Sequence, residues 1–182
     1  MRIISGTHGG RKINPPAKMP YTRPTTDIAK EGLFNIIENN LDIESLKVLD
    51  LFGGTGSISY ELSSRGAPDI TIVEKDPAMF EFIKSTSAKL ALPGFKVVRS
   101  DVFKFIDANP GQFDFIFAGP PYALTNIDEL PLKIFQNKLL KNKGWFVLEH
   151  TPRNDYKKFY GYKTERNYGT TIFSIFIMQD VN

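Results

Sequence analysis

The sequence predicts a doubly wound, mostly parallel α/β sheet with helices on both faces. Three observations predict it. From residue 47 onward, short apolar runs alternate with segments of helical periodicity. The runs are near-continuously apolar, as in strands covered on both sides. Glycines, acids or a proline pair follow the first four runs, and ligands of such sheets bind at the carboxyl ends of strands, near the point where strand order reverses. Right-handed crossovers complete the topology.

Each element has a local reason. In residues 1–24, "RIISG" and "RKINPP" read as two short strands of a hairpin around "THGG". "RPTTD" supplies Pro and hydroxyls just before a helical pattern of Ile28, Ala29, Leu33, Ile36 and Ile37. Gly32 inside that pattern costs about 1 kcal/mol relative to Ala, which points to a close contact there. "KVLDLF" is a buried strand and "SISYELSSRG" a helix closed by Gly66. "ITIVE" is a strand, and "PAMFEFIKSTSAKLAL" a helix with Pro77 in its first turn. "FKVVRSD", "VFKFIDA" and "FDFIFAG" follow as strand, short helix and strand. "DELPLKIFQNKLL" is helical, with Pro131 limiting where it begins, and "GWFVLEH" is a fifth strand. "TTIFSIFIMQ" is a long β-rich run, antiparallel in part.

Composition narrows the function classes. The 182 residues suit one domain with a short extension, and 41% hydrophobic with 24% charged residues is ordinary for a globular chain. There is no cysteine, which excludes disulfides, Cys-ligated zinc and a thiolate nucleophile. Only two histidines, His8 and His150, argue against a His-rich metal site. No apolar run approaches a membrane span, and "MRIISGTHGG" is too polar for a secretory segment, so a cytoplasmic chain is expected, and a monomer because no extra apolar segment needs covering. The net charge is only +3, but Arg2, Arg11, Lys12, Lys18 and Arg23 occupy residues 1–24 without an acid. We therefore expect a basic N-terminal arm or hairpin over 1–24, of the kind that meets phosphate backbones, and one ligand-binding domain over 25–182.

The strand ends carry the chemistry. "LDLFGGTG" ends the first strand with Asp50, Gly53, Gly54 and Gly56, letting the backbone approach a ligand. A dinucleotide fingerprint would place Gly where Ser59 stands, and the Gly-Lys-Ser/Thr of a P-loop is absent. Glu74 follows that turn by about 20 residues, the position of an acid that holds ribose hydroxyls. Asp101 ends the third strand, where its carboxylate can accept from an adenine amine or cap the next helix, with Val102 and Phe103 as apolar contacts. The fourth strand ends Gly119-Pro120-Pro121-Tyr122. Its prolines carry no N–H and leave carbonyls as acceptors, and Tyr122 offers a stacking face for a base.

In this order, "LDLFGGTG", "VEKD", "SD" and "GPPY" resemble the S-adenosylmethionine-dependent methyltransferases of exocyclic amines. "RIISGTHGGRKI", "TRPTTDIAKEGLFNII", "LDLFGGTGSISYELSSRGA" and "ERNYGTTIFSIF" extend the resemblance to RsmD-type guanine-N2 methyltransferases of 16S ribosomal RNA over nearly the whole chain. The resemblance implies a seven-stranded sheet and S-adenosylmethionine as cofactor. It implies a cofactor set of Asp50, Phe52, Gly53, Gly54, Gly56, Glu74, Lys75, Asp101 and Val102, with Arg23, Pro24 and Thr25 near the methionine end. Gly119, Pro120, Pro121 and Tyr122 would form the catalytic turn, and Arg2, Arg11, Lys12 and Arg23 would contact RNA. Ribosomal RNA or the small ribosomal subunit would be the partner, with no metal.

One residue departs from the pattern. The family has Asp where this chain has Gly119. An Asp oxygen there would accept a hydrogen bond from the target amine and offset charge as the nitrogen is alkylated. Either the chain has diverged, a single codon change has intervened, or another acid reaches in. Asp128 and Glu129 are the better placed acids, since Asp114 stands at the start of its strand. Two further readings compete: an N6-adenine DNA methyltransferase, and a cofactor- and RNA-binding module weakened in catalysis.

Overall fold

The computed structural model describes residues 1–18 and 25–180. Its elements in chain order are α1 (Asp27–Asn40), β1 (Lys47–Leu51), α2 (Ser57–Ser64), β2 (Asp69–Glu74), α3 (Pro77–Lys89), β3 (Phe95–Arg99), α4 (Val102–Asp107), β4 (Phe113–Ala118), α5 (Glu129–Gln136), β5 (Leu140–His150), β6 (Tyr162–Tyr168) and β7 (Thr171–Ile177). They form one seven-stranded sheet in the order β3-β2-β1-β4-β5-β7-β6. The pairings among β1 to β5 are parallel, and β7 pairs antiparallel with both β5 and β6. From β1 the chain moves outward to β2 and β3, then returns to lay β4 on the other side of β1. That reversal opens a crevice at the carboxyl ends of β1 and β4.

Alternate residues of each strand face opposite layers. On one face, Val48, Ile70, Phe115, Phe117, Val147, Phe173 and Ile175 pack against Leu33, Phe34 and Ile37 of α1 and Ile58 and Leu62 of α2. On the other, Leu49, Leu51, Ile116, Phe146 and Leu148 meet Val102 and Ile106 of α4 and Leu130 and Ile134 of α5. Helix starts follow the capping chemistry of the sequence. The Thr26 side chain accepts from the Ala29 N–H at α1, and Asp76 accepts from Met79 ahead of Pro77 at α3.

The close contact expected at Gly32 is present. A Cβ added there would lie 2.1 Å from the hydroxyl of Tyr168 on β6, so α1 meets the sheet edge only because the position has no side chain.

The N-terminal segment is docked rather than loose. Arg2 and Lys12 form an antiparallel bridge, and Ile3 and Ile13 pack with Tyr60, Ile72 and Ile83. Glu61 of α2 is fully buried and accepts the N–H groups of Ile4 and Ser5 at 2.8 and 3.0 Å. Lys30 Nζ lies 3.4 Å from Glu61 and donates to the Arg2 carbonyl at 2.6 Å. A buried carboxylate with this many donors has its lost hydration replaced by hydrogen bonds and an ion pair.

Two elements differ from expectation. β5 begins at Leu140, several residues before "GWFVLEH", because an irregularity in its pairing with β4 absorbs the intervening residues. β6 is not among the strands read from the sequence. It is the sheet's outer strand, where Lys163, Glu165 and Arg166 suit an edge that must not pair further.

Candidate active site

A cavity of about 920 Å³ opens where the carboxyl ends of β1, β2, β3, β4 and β5 converge. Asp50, Phe52, Gly53, Gly54, Glu74, Lys75, Asp101, Val102, Gly119, Pro120, Pro121 and Tyr122 all line it, as does Thr25. The register explains the convergence. Asp50 and Leu51 of β1 lie level with Ile72 and Val73 of β2 on one side and with Phe117 and Ala118 of β4 on the other.

Asp50 is the most deeply placed acid of the cavity lining, at 2% exposure. Its Oδ2 accepts from Ser59 Oγ at 2.6 Å, while Oδ1 is buried with no partner. Burial pushes its pKa up to about 7, the Ser59 hydroxyl opposes that, and the negative charges of Glu74 and Glu149 add to it. An unpaired carboxylate oxygen at the base of a cavity is a site for a cationic donor.

The turn after β1 brings backbone to the ligand. A Cβ on Gly53 would lie 2.7 Å from Ile72 Cγ1, so only glycine lets this turn pack onto β2. Phe52 adopts φ 65°, a left-handed conformation that costs a bulky residue about 1–3 kcal/mol and is typical of ligand clamps. Gly56 is not among the cavity-lining residues. It adopts φ 81° as the N-terminal cap of α2 and packs under the Tyr60 ring, so its role is to turn the chain behind the wall.

Glu74 is held by two backbone donors, Gly54 N–H at 2.7 Å and Asp76 N–H at 2.8 Å. A carboxylate has about four acceptor positions, so positions remain for donors of a ligand in the cavity. Asp101 caps α4 through bonds from Phe103 and Lys104 N–H at 3.0 and 3.2 Å, while also lining the cavity. Lys75 Nζ stands 3.5 Å from the other Asp101 oxygen in an exposed pair that contributes little.

At the mouth, the Pro121 carbonyl is taken by Leu124 N–H at 2.9 Å. Among the described residues, the Gly119 and Pro120 carbonyls accept no hydrogen bond. Tyr122 is 45% exposed, which leaves its ring face accessible to a base. The acids expected to stand in for the missing Asp do not reach the cavity. Asp128 accepts from the Tyr156 hydroxyl at 2.9 Å, Glu129 opens α5, and neither lines the wall. Asp114 is tied to Lys47 N–H and Lys141 at the opposite end of the strand.

An acid that does line the wall beside Gly119 is Glu149, at the carboxyl end of β5 and 8% exposed. Its Oε2 accepts from Thr25 Oγ1 at 2.8 Å. The four strand ends read in the sequence missed it, although "FVLEH" ends a strand in an acid just as "TIVE" does. Arg23 and Pro24, expected near the same place, lie outside the described residues. Arg2, Arg11 and Lys12 sit on the N-terminal hairpin, with Arg2 Nε bonded to Asp27 Oδ2 at 3.0 Å. Among the described residues, no group of His, Asp or Glu is placed to hold a metal ion, and no helix is long and apolar enough to cross a membrane.

Comparison with known proteins gives a consistent result. A family model described as conserved hypothetical protein 95 matches residues 1–177. The chain is 34% identical over 154 residues to YlbH of Bacillus subtilis, covering 82% of each protein. It is 32% identical over 149 residues to ribosomal RNA small subunit methyltransferase D of Escherichia coli, covering 82% of this chain and 71% of that one. Among solved structures, Escherichia coli yhhF superposes with a TM-score of 0.85 at 26% identity, over 98% of both chains.

Proposed function

Because this chain belongs to the RsmD-type methyltransferase family, whose model is described as conserved hypothetical protein 95, we propose that it transfers a methyl group from S-adenosylmethionine to the N2 amine of a guanine in small-subunit ribosomal RNA. The observation that carries the reading is the cavity at the sheet's reversal, acidic at its base and closed by Pro-Pro-Tyr at its mouth. The cofactor is a cation at both its ammonium and sulfonium. The buried, unpaired Asp50 Oδ1 and the nearby carboxylate of Glu74 fit such a ligand. Glycine at 53 lets backbone approach it, Glu74 is preset for the ribose, and Asp101 and Val102 stand where the adenine would lie. Bound there, S-adenosylmethionine supplies an electrophilic methyl group.

The chain's own residues position the acceptor. Tyr122 stacks the extruded base, and the Gly119 and Pro120 carbonyls offer acceptors for the amine hydrogens. Holding the nitrogen in line with the methyl supplies several kcal/mol through orientation alone. Residues 1–24 serve as the RNA-facing unit and 25–182 as the catalytic domain. Arg2, Arg11 and Lys12 meet the phosphate backbone, with the hairpin fixed to α2 rather than tethered.

The test is transfer of labelled methyl to small ribosomal subunits lacking guanine-N2 methylation, followed by digestion and identification of the nucleoside. N2-methylguanosine is the expected product. Label in adenosine, or incorporation into duplex DNA in preference to the subunit, would overturn the substrate assignment.

A further inference from the structure

The Gly119-Pro120-Pro121-Tyr122 turn carries no carboxylate of its own, and we propose that Glu149 supplies one from the neighbouring strand as the acceptor for the target amine. The proposal rests on the methyltransferase reading above. β4 and β5 run parallel with Ala118 level with Leu148, so Gly119 and Glu149 are the next residues of each and stand side by side. Adjacent strands lie about 4.8 Å apart, within reach of a glutamate side chain. A Cβ added to Gly119 would lie 3.4 Å from Glu149 Oε2. An aspartate at 119 would carry its carboxylate outward from that same point. The oxygen that family members place from β4 is thus placed here from β5, on a side chain one methylene longer.

The arrangement is built rather than incidental. Glu149 is 8% exposed and lines the cavity beside Gly119, Pro120 and Tyr122. Thr25 Oγ1 donates to the oxygen that faces Gly119, which fixes its direction. Glycine at 119 keeps the volume beside that oxygen open, since a side chain there would also press on the Phe117 ring at 3.1 Å.

In the transfer, the amine nitrogen forms its bond to the methyl carbon with its lone pair. The carbon–sulfur bond breaks with its electron pair left on sulfur. The nitrogen becomes positive, and one of its protons passes to Glu149 and then to solvent. The carboxylate stabilises that charge as it develops, an effect worth about 10² or more in rate for one well-placed group.

Two measurements test this on the full chain. In methyl transfer to ribosomal subunits, Glu149→Gln should lose about 10²-fold in kcat. The double variant E149Q/G119D should regain much of it, because the carboxylate returns on β4. The second readout is guanosine binding to protein saturated with S-adenosylhomocysteine, where E149Q should bind about tenfold more weakly while its affinity for S-adenosylhomocysteine holds. Activity of E149Q within threefold of the original, or a double variant no better than E149Q, overturns the proposal. So does an E149Q variant whose only defect is in S-adenosylhomocysteine affinity or folding, which would make Glu149 a structural anchor for Thr25. A chain that binds adenosine in place of guanosine refutes the guanine reading alone, and the E149Q binding ratio measured with adenosine then decides the role of Glu149. A chain that binds neither nucleoside overturns both.

Discussion

Replacing Asp50 by Asn should stabilise the ligand-free protein and cripple its cofactor site. Asp50 is buried, one oxygen is unpaired, and its pKa is pushed up to about 7 against an ordinary value near 3.8. The folded state therefore binds the Asp50 proton more tightly than the unfolded state does. That contribution to stability is fully present below about pH 4 and is lost as pH rises to about 7. Three pKa units correspond to about 4 kcal/mol, an upper bound on what the ionised carboxylate costs at pH 8 in the absence of ligand. Asp50→Asn keeps the volume and removes the charge. Thermal unfolding without ligand should place the variant above the original at pH 8, by about 2–4 °C per kcal/mol recovered in a chain of this size. The two should converge at pH 4. On the cofactor placement proposed above, the ammonium pairs with the ionised form, so affinity runs the other way. With a pKa near 7, the ionised fraction rises about tenfold from pH 6 to pH 8. Calorimetric titration with S-adenosylhomocysteine should show that tenfold gain in the original chain and lose it in Asp50→Asn. A variant no more stable than the original at pH 8, together with binding that is flat between pH 6 and 8, would refute the reasoning.

Further outcomes follow from the same geometry. Lys30→Met leaves Glu61 buried with a charge less well compensated, and should cost about 3–5 kcal/mol in denaturant unfolding, partly restored in K30M/E61Q. Gly32→Ala gains about 1 kcal/mol of helix propensity but drives Tyr168 off Phe173. A net loss of about 1–3 kcal/mol is expected, turning to neutral or a gain when Tyr168 is also Ala. Arg11→Glu with Lys12→Glu should weaken RNA binding uniformly across sequences and lower the slope of log affinity against log salt by about 2, as read by filter binding at several salt concentrations.

The individual signals of this protein were legible in its sequence because each is local. Alternating apolar runs and helical periods specify which segments pair and which cover them, so the parallel core from β1 to β5 and the capped helices α1, α3 and α4 follow directly. The acids and glycines that end β1, β2 and β3 are likewise local features, and they line one cavity, Gly56 apart. Even the cost of Gly32 announced a contact, though not its partner. β6 was illegible because an edge strand needs polar residues for reasons that only its place in the sheet supplies. The N-terminal hairpin showed its charge, while the buried Glu61 that anchors it sits in what reads as an ordinary helix. The pairing of Gly119 with Glu149 is the furthest from the sequence. Periodicity reports which face a residue occupies but not which residue of another strand lies level with it. That depends on the register of β5 against β4, including the irregularity between them, and only the folded sheet sets it.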